Sequence, residues 1–107
     1  MPIVRDFFRT EAEDCLRRLD ELLDAAAPGA VDAAELLRVS RLLRGSAQMA
    51  REDDVATLAR ALESVARAVV SDVVAWDEEL AARVRDTVAE LRALVEAESG
   101  QERAARA

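Results

Sequence analysis

The chain has 107 residues, of which 51% are apolar and only 3% aromatic, and its formal net charge is −7. This length supports one domain with a modest core of small aliphatic side chains. The acidic balance argues against a general nucleic-acid binder, which presents an excess of cations to phosphate groups. Because the chain has no histidine and a single cysteine, it offers neither histidine catalysis nor an internal disulfide.

The sequence contains no motif of an enzyme or of a cofactor site. It has no Gly-x-Gly-x-x-Gly or Walker loop, and it lacks the Glu-x-x-His pairs of a di-metal helical bundle. The helical phase places Cys15 between Ala12 and Leu19, which predicts a buried structural thiol rather than a reactive one. We therefore predict a protein that is not an enzyme and that binds no cofactor and no metal.

Nothing in the chain predicts export or a membrane span. No apolar run reaches the ~18 residues of a transmembrane helix. The first residues lack the cationic and apolar stretches of a signal peptide. A lone thiol fits a reducing compartment, so we predict a cytoplasmic location without membrane contact.

Apolar residues at spacings of three and four predict the first helix from about Ile3 to Ala26. Pro28 and Gly29 are expected to end this helix. The side chains predicted to face the core are Phe8, Ala12, Cys15, Leu19, Leu22 and Ala26.

The second helix is predicted from Asp32 to about Ala50. Asp32 is a suitable N-cap, and Glu35, three residues later, completes the pattern of a capping box. The side chains predicted to face the core are Leu36, Val39, Leu43, Ala47 and Ala50.

Two further helices follow. The third is expected to be capped by Asp53 or Asp54 and to end near Asp72, and the fourth is expected to start after Trp76 with Asp77 as its cap. The predicted core faces are Val55, Leu58, Leu62, Val65 and Val69 in the third helix and Leu80, Val84, Thr87, Leu91 and Leu94 in the fourth.

These elements predict an all-α protein. Short connections favour antiparallel neighbours, hence an up-down four-helix bundle over residues 1–98. The small and polar residues 99–107 are expected to form a frayed tail or a linker.

One face of the second helix is rich in arginine. On a helical wheel, Arg38 and Arg44 lie about 60° to either side of Arg41, with Gly45 and Gln48 between them and the core residues opposite. A glycine within a helix costs up to about 1 kcal/mol relative to alanine. Gly45 is thus either a tolerated defect or a position where bare backbone lets a partner approach.

The segment Arg41-Leu42-Leu43-Arg44-Gly45-Ser46-Ala47 resembles the signature of the histidine phosphotransfer family, which is roughly His-x-Leu-Lys-Gly-Ser-Ala. The segment 58–63 resembles the family's Leu-Ala-His-x-Leu-Glu. The opening segment 7–13 resembles the first helix of the N-terminal phosphotransfer domain of chemotaxis-type histidine kinases. The likeness covers residues 7–63 by motif and the fourth helix by pattern only, and it implies a four-helix module of a two-component phosphorelay.

The resemblance assigns a role to four positions. It puts Arg41 at the phosphoacceptor histidine, Arg44 at a lysine that neutralises phosphate, Arg60 at a second histidine, and Glu63 at the glutamate that orients the active imidazole. A guanidinium has no acceptor lone pair and stays protonated, so Arg41 cannot carry a phosphoryl group in the family's manner. The resemblance also predicts that Arg41 and Glu63 lie within ion-pair distance across neighbouring helices.

We therefore predict a non-catalytic, phosphotransfer-like module that docks on a response-regulator receiver domain or a histidine kinase. Receiver domains present an acidic pocket, to which a cationic face is complementary. The alternative is that the arginine face is an ordinary solvated helix surface. The residues predicted to contact the partner are Arg38, Arg41, Arg44, Gly45, Gln48 and Arg51.

Two other functions remain as alternatives. The second hypothesis is a helical dimerisation or scaffold domain of a larger signalling protein, with exposed Leu37 and Leu42 forming a homodimer interface. Phosphoryl transfer to another acceptor such as Ser46 is the third, which we do not favour because the wheel puts Ser46 to the side of the face.

Overall fold

The computed structural model describes the backbone of residues 2–26 and 30–106 and the side chains of residues 6–26 and 30–97. It contains four helices, α1 (Pro2–Ala25), α2 (Ala33–Met49), α3 (Asp53–Val70) and α4 (Glu78–Arg106). The described residues include no strand. The predicted all-α bundle is therefore confirmed.

The four helices pack in a ring. Helix α1 packs against α2 and α4, and α3 packs against the same two helices, with the most extensive contact between α2 and α3. The molecule is elongated, with extents of 47 × 20 × 17 Å. The intimate α2–α3 pair is the part of the bundle that positions the site described below.

The core consists of leucine, valine and alanine side chains with one phenylalanine and Cys15. Small side chains let helix axes approach closely. Leu19, Leu36, Leu43, Leu62 and Leu91 are the largest fully buried side chains among the described residues. The predicted core faces of the first two helices are confirmed apart from Ala26 and Ala50, which are half-buried.

The predicted core faces of α3 and α4 are confirmed in part. Val55, Leu62, Val84 and Leu91 are buried, and the other predicted side chains are partly buried. In α3, Leu58 and Val65 are only partly buried, while Ala59, Ala66 and Glu63 are buried. Ala59 and Ala66 share a face with Glu63, and Glu63 contacts Arg44 of α2. This face of α3 is therefore turned towards α2, and the larger aliphatic side chains lie nearer the rim. In α4, Val88 and Val95 are buried in addition to the predicted Val84 and Leu91.

Two of the three predicted helix caps are confirmed. The Asp32 carboxylate accepts a hydrogen bond from the backbone N–H of Glu35 at 3.1 Å, and Asp77 accepts one from the N–H of Leu80 at 2.8 Å. The Glu35 side chain pairs with Arg38 instead of completing the capping box. These caps fix where α2 and α4 begin.

The cap predicted for α3 is wrong. Helix α2 ends in a Schellman turn, in which the N–H of Arg51 donates to Gln48 at 3.2 Å and the N–H of Glu52 donates to Ala47 at 2.8 Å. This turn makes Glu52 the N-cap residue, without a side-chain cap hydrogen bond. Asp53 therefore lies in the first turn of α3, where its charge favours the helix dipole.

Helices α1 and α4 end at Ala25 and Arg106. Pro28 and Gly29, which were predicted to end the first helix, lie outside the described residues, and α1 ends at Ala25. The backbone of α4 is helical as far as Arg106. The assignment of residues 99–107 to a frayed tail or a linker stays a prediction. No described helix combines the length and the apolar character of a membrane span.

Candidate functional site

The arginine face of α2 lies on the surface as the helical wheel predicted. Arg41 and Gln48 are exposed, and Arg44 and Gly45 are half-buried. On the opposite side of the helix, Leu43 is fully buried. The arginine face of α2 therefore results from the spacing of its residues along one helix, without residues from a loop.

Glu63 is a buried carboxylate directly beneath this face. Its side chain is 7% exposed, and its Oε2 atom accepts a hydrogen bond from Nε of Arg44 at 2.6 Å. Its Oε1 atom accepts from Nε of Arg41 at 3.4 Å and from Nη2 of Arg67 at 3.2 Å. The predicted pair between Arg41 and Glu63 is thus present, but the shorter contact is with Arg44.

The surrounding arginines keep Glu63 ionised. The hydrogen bond from Arg44 is the largest influence and lowers the pKa of Glu63, and the charges of Arg44 and Arg67 and the hydrogen bond from Arg41 act in the same direction. Burial opposes this by raising the pKa, and the net direction is downward from the ordinary value. The carboxylate is therefore a fixed negative charge that organises the cations around it.

Arg44 has the most constrained side chain of the three arginines that contact Glu63. It is 26% exposed, whereas Arg41 is 54% exposed and Arg67 is 56% exposed. Its Nη1 atom also donates to Oε1 of Gln48 at 3.0 Å. Arg41 and Arg67 keep most of their N–H groups directed to solvent, because each makes one contact with the carboxylate.

Three of the predicted arginines lie outside the group of arginines that contacts Glu63. Arg38 pairs with Glu35 on its own helix, and Glu35 also lies 3.6 Å from Arg18 of α1. Arg51 and Arg60 are exposed, and neither forms an ion pair within the described part of the chain. The predicted site residues thus divide into an organised cluster and peripheral charges.

Arg67 is the residue that the sequence analysis missed. It follows Glu63 by four residues on α3, and a glutamate four positions before an arginine is a favourable pair on a helix. That spacing was available in the sequence. We define the arginine cluster as Arg41, Arg44 and Arg67 together with Glu63.

Gly45 faces open space. A Cβ atom built at this position meets no heavy atom within 4 Å, so no internal contact requires glycine here. Two apolar side chains on the same helix are exposed nearby, Leu42 at 45% and Met49 at 83%. Leu37, which was expected to be exposed, packs against the core instead, because it lies on the side of α2 that faces α3.

Burial makes Ser40 and Cys15 poorly placed as phosphoacceptors. Ser40 is fully buried, and its Oγ atom donates to the carbonyl of Leu36 at 2.7 Å. Ser46 is half-buried. Cys15 is buried in the core, and burial, followed by the charges of Glu11 and Asp14, raises its pKa to about 11.

The described residues contain no cluster of three or more acidic or cysteine side chains that suits a metal ion. A groove of about 330 Å³ between α1 and α4 is lined by Asp20 and Arg92 among others. These two side chains pair with each other. The groove lies on a different side of the bundle from the arginine cluster and brings together no reactive groups.

The fold and this face define a small helical module whose candidate site residues lie on an exposed helix surface rather than in a cavity. The sequence model of the Hpt domain matches residues 4–98. The chain belongs to the Hpt domain family. No curated protein and no solved structure matches the chain.

Membership of this family makes the chain a phosphorelay signalling module. Hpt domains carry phosphoryl groups between proteins rather than catalyse reactions in the usual sense. They interact with kinases and response regulators. This chain contains no histidine, so it lacks the residue type that carries the phosphoryl group in the family pattern.

Proposed function

We propose that this Hpt domain docks on a response-regulator receiver domain or a histidine kinase without carrying phosphate. One observation carries the proposal. A guanidinium, that of Arg41, stands at the centre of the exposed face where the family pattern has its histidine, and it binds the glutamate that the pattern retains. A guanidinium provides no lone pair to attack phosphorus.

The surface chemistry supports docking. The exposed face combines the cations Arg41 and Arg67 with the apolar side chains Leu42 and Met49. Apolar groups at the centre of an interface supply affinity, and surrounding charges set orientation and association rate. On the helical wheel of α2, Gly45 lies between Arg41 and the two apolar side chains, where it lets another backbone approach closely.

The motif likeness suggests the setting. The segments 7–13 and 41–47 resemble the N-terminal domain of chemotaxis-type histidine kinases, and a receiver or kinase of such a pathway is the partner that we propose. The lone buried thiol fits a cytoplasmic location.

Calorimetric titration of candidate receiver domains tests the proposal, with Arg41→Glu as the site variant. The matched control is Arg83→Glu, which makes the same charge change at an exposed arginine of α4. We expect Arg41→Glu to weaken binding at least about tenfold, because it replaces attraction by like-charge repulsion, and the control to bind like the wild type. Equal binding by all three proteins would rule out this face as the docking surface.

Gly45→Ala separates docking from folding. The added methyl group meets nothing inside the protein, so the substitution should stabilise α2 by up to about 1 kcal/mol. We expect the same variant to bind the partner more weakly, because the methyl group occupies the space between the two backbones. A variant that is more stable and binds unchanged would show that Gly45 is only a tolerated defect.

Self-association is the second candidate, and the exposure of Leu42 and Met49 favours it. Such a dimerisation or scaffold role no longer has Leu37 as an interface residue, since Leu37 packs against the core. Light scattering across a concentration series distinguishes the two functions. A mass that doubles with concentration and reverts in Leu42→Asp would support the homodimer, whereas a constant monomer mass would support docking on another protein.

A further inference from the structure

The arginine cluster contains more positive charge than its carboxylate can neutralise. Three guanidinium groups meet the single buried carboxylate of Glu63. No other acidic residue occurs between Leu36 and Arg51 on one side or between Ala59 and Val70 on the other. The cluster therefore keeps two uncompensated positive charges on a protein whose overall charge is −7.

This surplus is unevenly distributed within the cluster. Arg44 is held by both oxygens of Glu63 and by Gln48. Arg41 and Arg67 are more than half exposed and reach the same oxygen, Oε1, from the neighbouring helices α2 and α3. Two solvent-facing guanidinium groups are thus fixed next to each other, with Glu63 holding them in place from below.

We infer that Arg41 and Arg67 form a clamp for a tetrahedral oxyanion, a phosphoryl group above all, with Arg44 and Glu63 holding the clamp in position. Arginine is suited to this role because its planar fork of N–H donors matches the oxygens of a phosphoryl group. An anion between the two guanidinium groups also removes their mutual repulsion, since it supplies the negative charge that Glu63 alone does not. The site binds the oxyanion non-covalently, and no phosphorus–oxygen bond is made or broken.

The phosphoryl group has two possible sources, free phosphate or a phosphorylated side chain of the docked partner. For the second source, the inference rests on the proposed docking function. For the first it stands alone, because binding of free phosphate requires no partner. The two sources are therefore arms of one experiment.

The first arm is an NMR titration of the full chain with inorganic phosphate, using sodium chloride at matched ionic strength as the reference. We expect saturable shifts of the side-chain Nε–H signals of Arg41 and Arg67 with phosphate only. Arg67→Gln should weaken the binding about threefold to fivefold, the size expected for one exposed ion contact. The matched control, Arg83→Gln on α4, should bind phosphate like the wild type.

The second arm measures binding of a receiver domain with and without beryllofluoride, which mimics its phosphorylated aspartate. Tighter binding of the treated receiver, lost in Arg67→Gln but not in Arg83→Gln, identifies the partner as the source of the phosphoryl group. Melting curves verify that each variant is folded.

The outcomes separate the two proposals. A receiver that binds equally with and without beryllofluoride, together with the absence of saturable phosphate shifts at Arg41 and Arg67, overturns the clamp and leaves the docking function standing. Saturable phosphate binding together with no receiver binding in either state supports the clamp for free oxyanions and contradicts the docking function.

Discussion

Glu63 is the residue that connects the fold to the candidate site. Its carboxylate is buried between α2 and α3 and accepts hydrogen bonds from Arg41, Arg44 and Arg67. A buried charge is tolerated only when such partners satisfy it. The same carboxylate therefore stabilises the helix pair and fixes the direction of the exposed cations.

Replacing Glu63 by glutamine should lower the free energy of unfolding by about 1–2 kcal/mol at pH 7, because the buried charge-assisted hydrogen bonds are lost. Urea denaturation measures the change. The control is Glu79→Gln, whose pair with Arg83 is largely exposed and contributes at most about 1 kcal/mol. Equal stability of Glu63→Gln and the wild type would contradict the role given to this carboxylate.

The pH dependence of the same variant has a definite sign. The pKa of Glu63 is lowered from 4.5 in the folded protein, so its contribution to stability is fully present above the unfolded value of about 4.5 and is lost as the pH falls through the folded value. We expect the stability difference between the wild type and Glu63→Gln to be constant above pH ~6 and to shrink below pH ~4.5. If the stability difference between the two proteins grew on acidification, the pKa of Glu63 would be raised and not lowered in the folded protein.

At the scale of elements, the turn between α2 and α3 sets the register of the arginine cluster. Arg51 occupies the left-handed position of this Schellman turn, with a φ angle of 60°, where glycine is the usual residue. Asp72 occupies the equivalent position after α3, with a φ angle of 58°. Residues with a Cβ atom are disfavoured in this conformation, so the backbone of Arg51 is strained in the turn.

Arg51→Gly should raise the free energy of unfolding by about 1 kcal/mol, because glycine adopts a positive φ angle without a steric penalty. Asp72→Gly is the matched comparison and should gain less, since aspartate tolerates the left-handed region better than arginine. Thermal and urea denaturation of both variants measures the difference. A loss of stability in Arg51→Gly would show that the Arg51 side chain makes a compensating contact.

At the scale of the whole molecule, charge is distributed unevenly. The net charge is −7, yet the exposed face of α2 and α3 carries mainly arginine. At physiological salt the Debye length is about 8 Å, so a partner close to this face responds to the local cations more than to distant acids. The local field is therefore expected to steer an acidic partner into place.

The association rate with a receiver domain should fall about tenfold as the salt concentration rises from about 0.1 to about 0.5 M, because screening weakens the local attraction. Stopped-flow fluorescence of Trp76 or of a labelled receiver measures this rate. Arg83→Glu should retain this salt dependence, whereas Arg41→Glu should lose most of it. A rate that rises with salt would mean that the overall negative charge dominates the encounter.

The sequence predicted the helices well because their signals are local. The Asp32 and Asp77 caps, the apolar spacing of α1 and α2, and the outward direction of Arg41 each depend on residues within one or two turns. Helical phase similarly sufficed to predict a buried Cys15. The motif at residues 41–47 was enough to indicate the family, to which the match over residues 4–98 assigns the chain.

Other features depended on how neighbouring helices pack. The alanine-rich side of α3 faces α2, so Leu58 and Val65 lie nearer the rim than their periodicity predicted, and Leu37 is covered for a similar reason. The cap of α3 shifted to Glu52 because the preceding turn, rather than the local side chains, decided where the helix begins. Helix packing depends on residues that are distant in sequence, and the position of the cap depends on the backbone conformation of the preceding turn. The periodicity of apolar residues contains neither kind of information.

The sequence by itself determined that this chain has no histidine and that Arg41 lies at the centre of an exposed helix face, since composition and helical phase are properties of the chain alone. Only the tertiary structure decided that Arg44 binds Glu63 more closely than Arg41 does, and that both arginines of α2 meet the Glu63–Arg67 pair of α3. The physical reason is that one buried carboxylate selects among several nearby guanidinium groups by distance across the α2–α3 contact. That distance exists only once the two helices are packed.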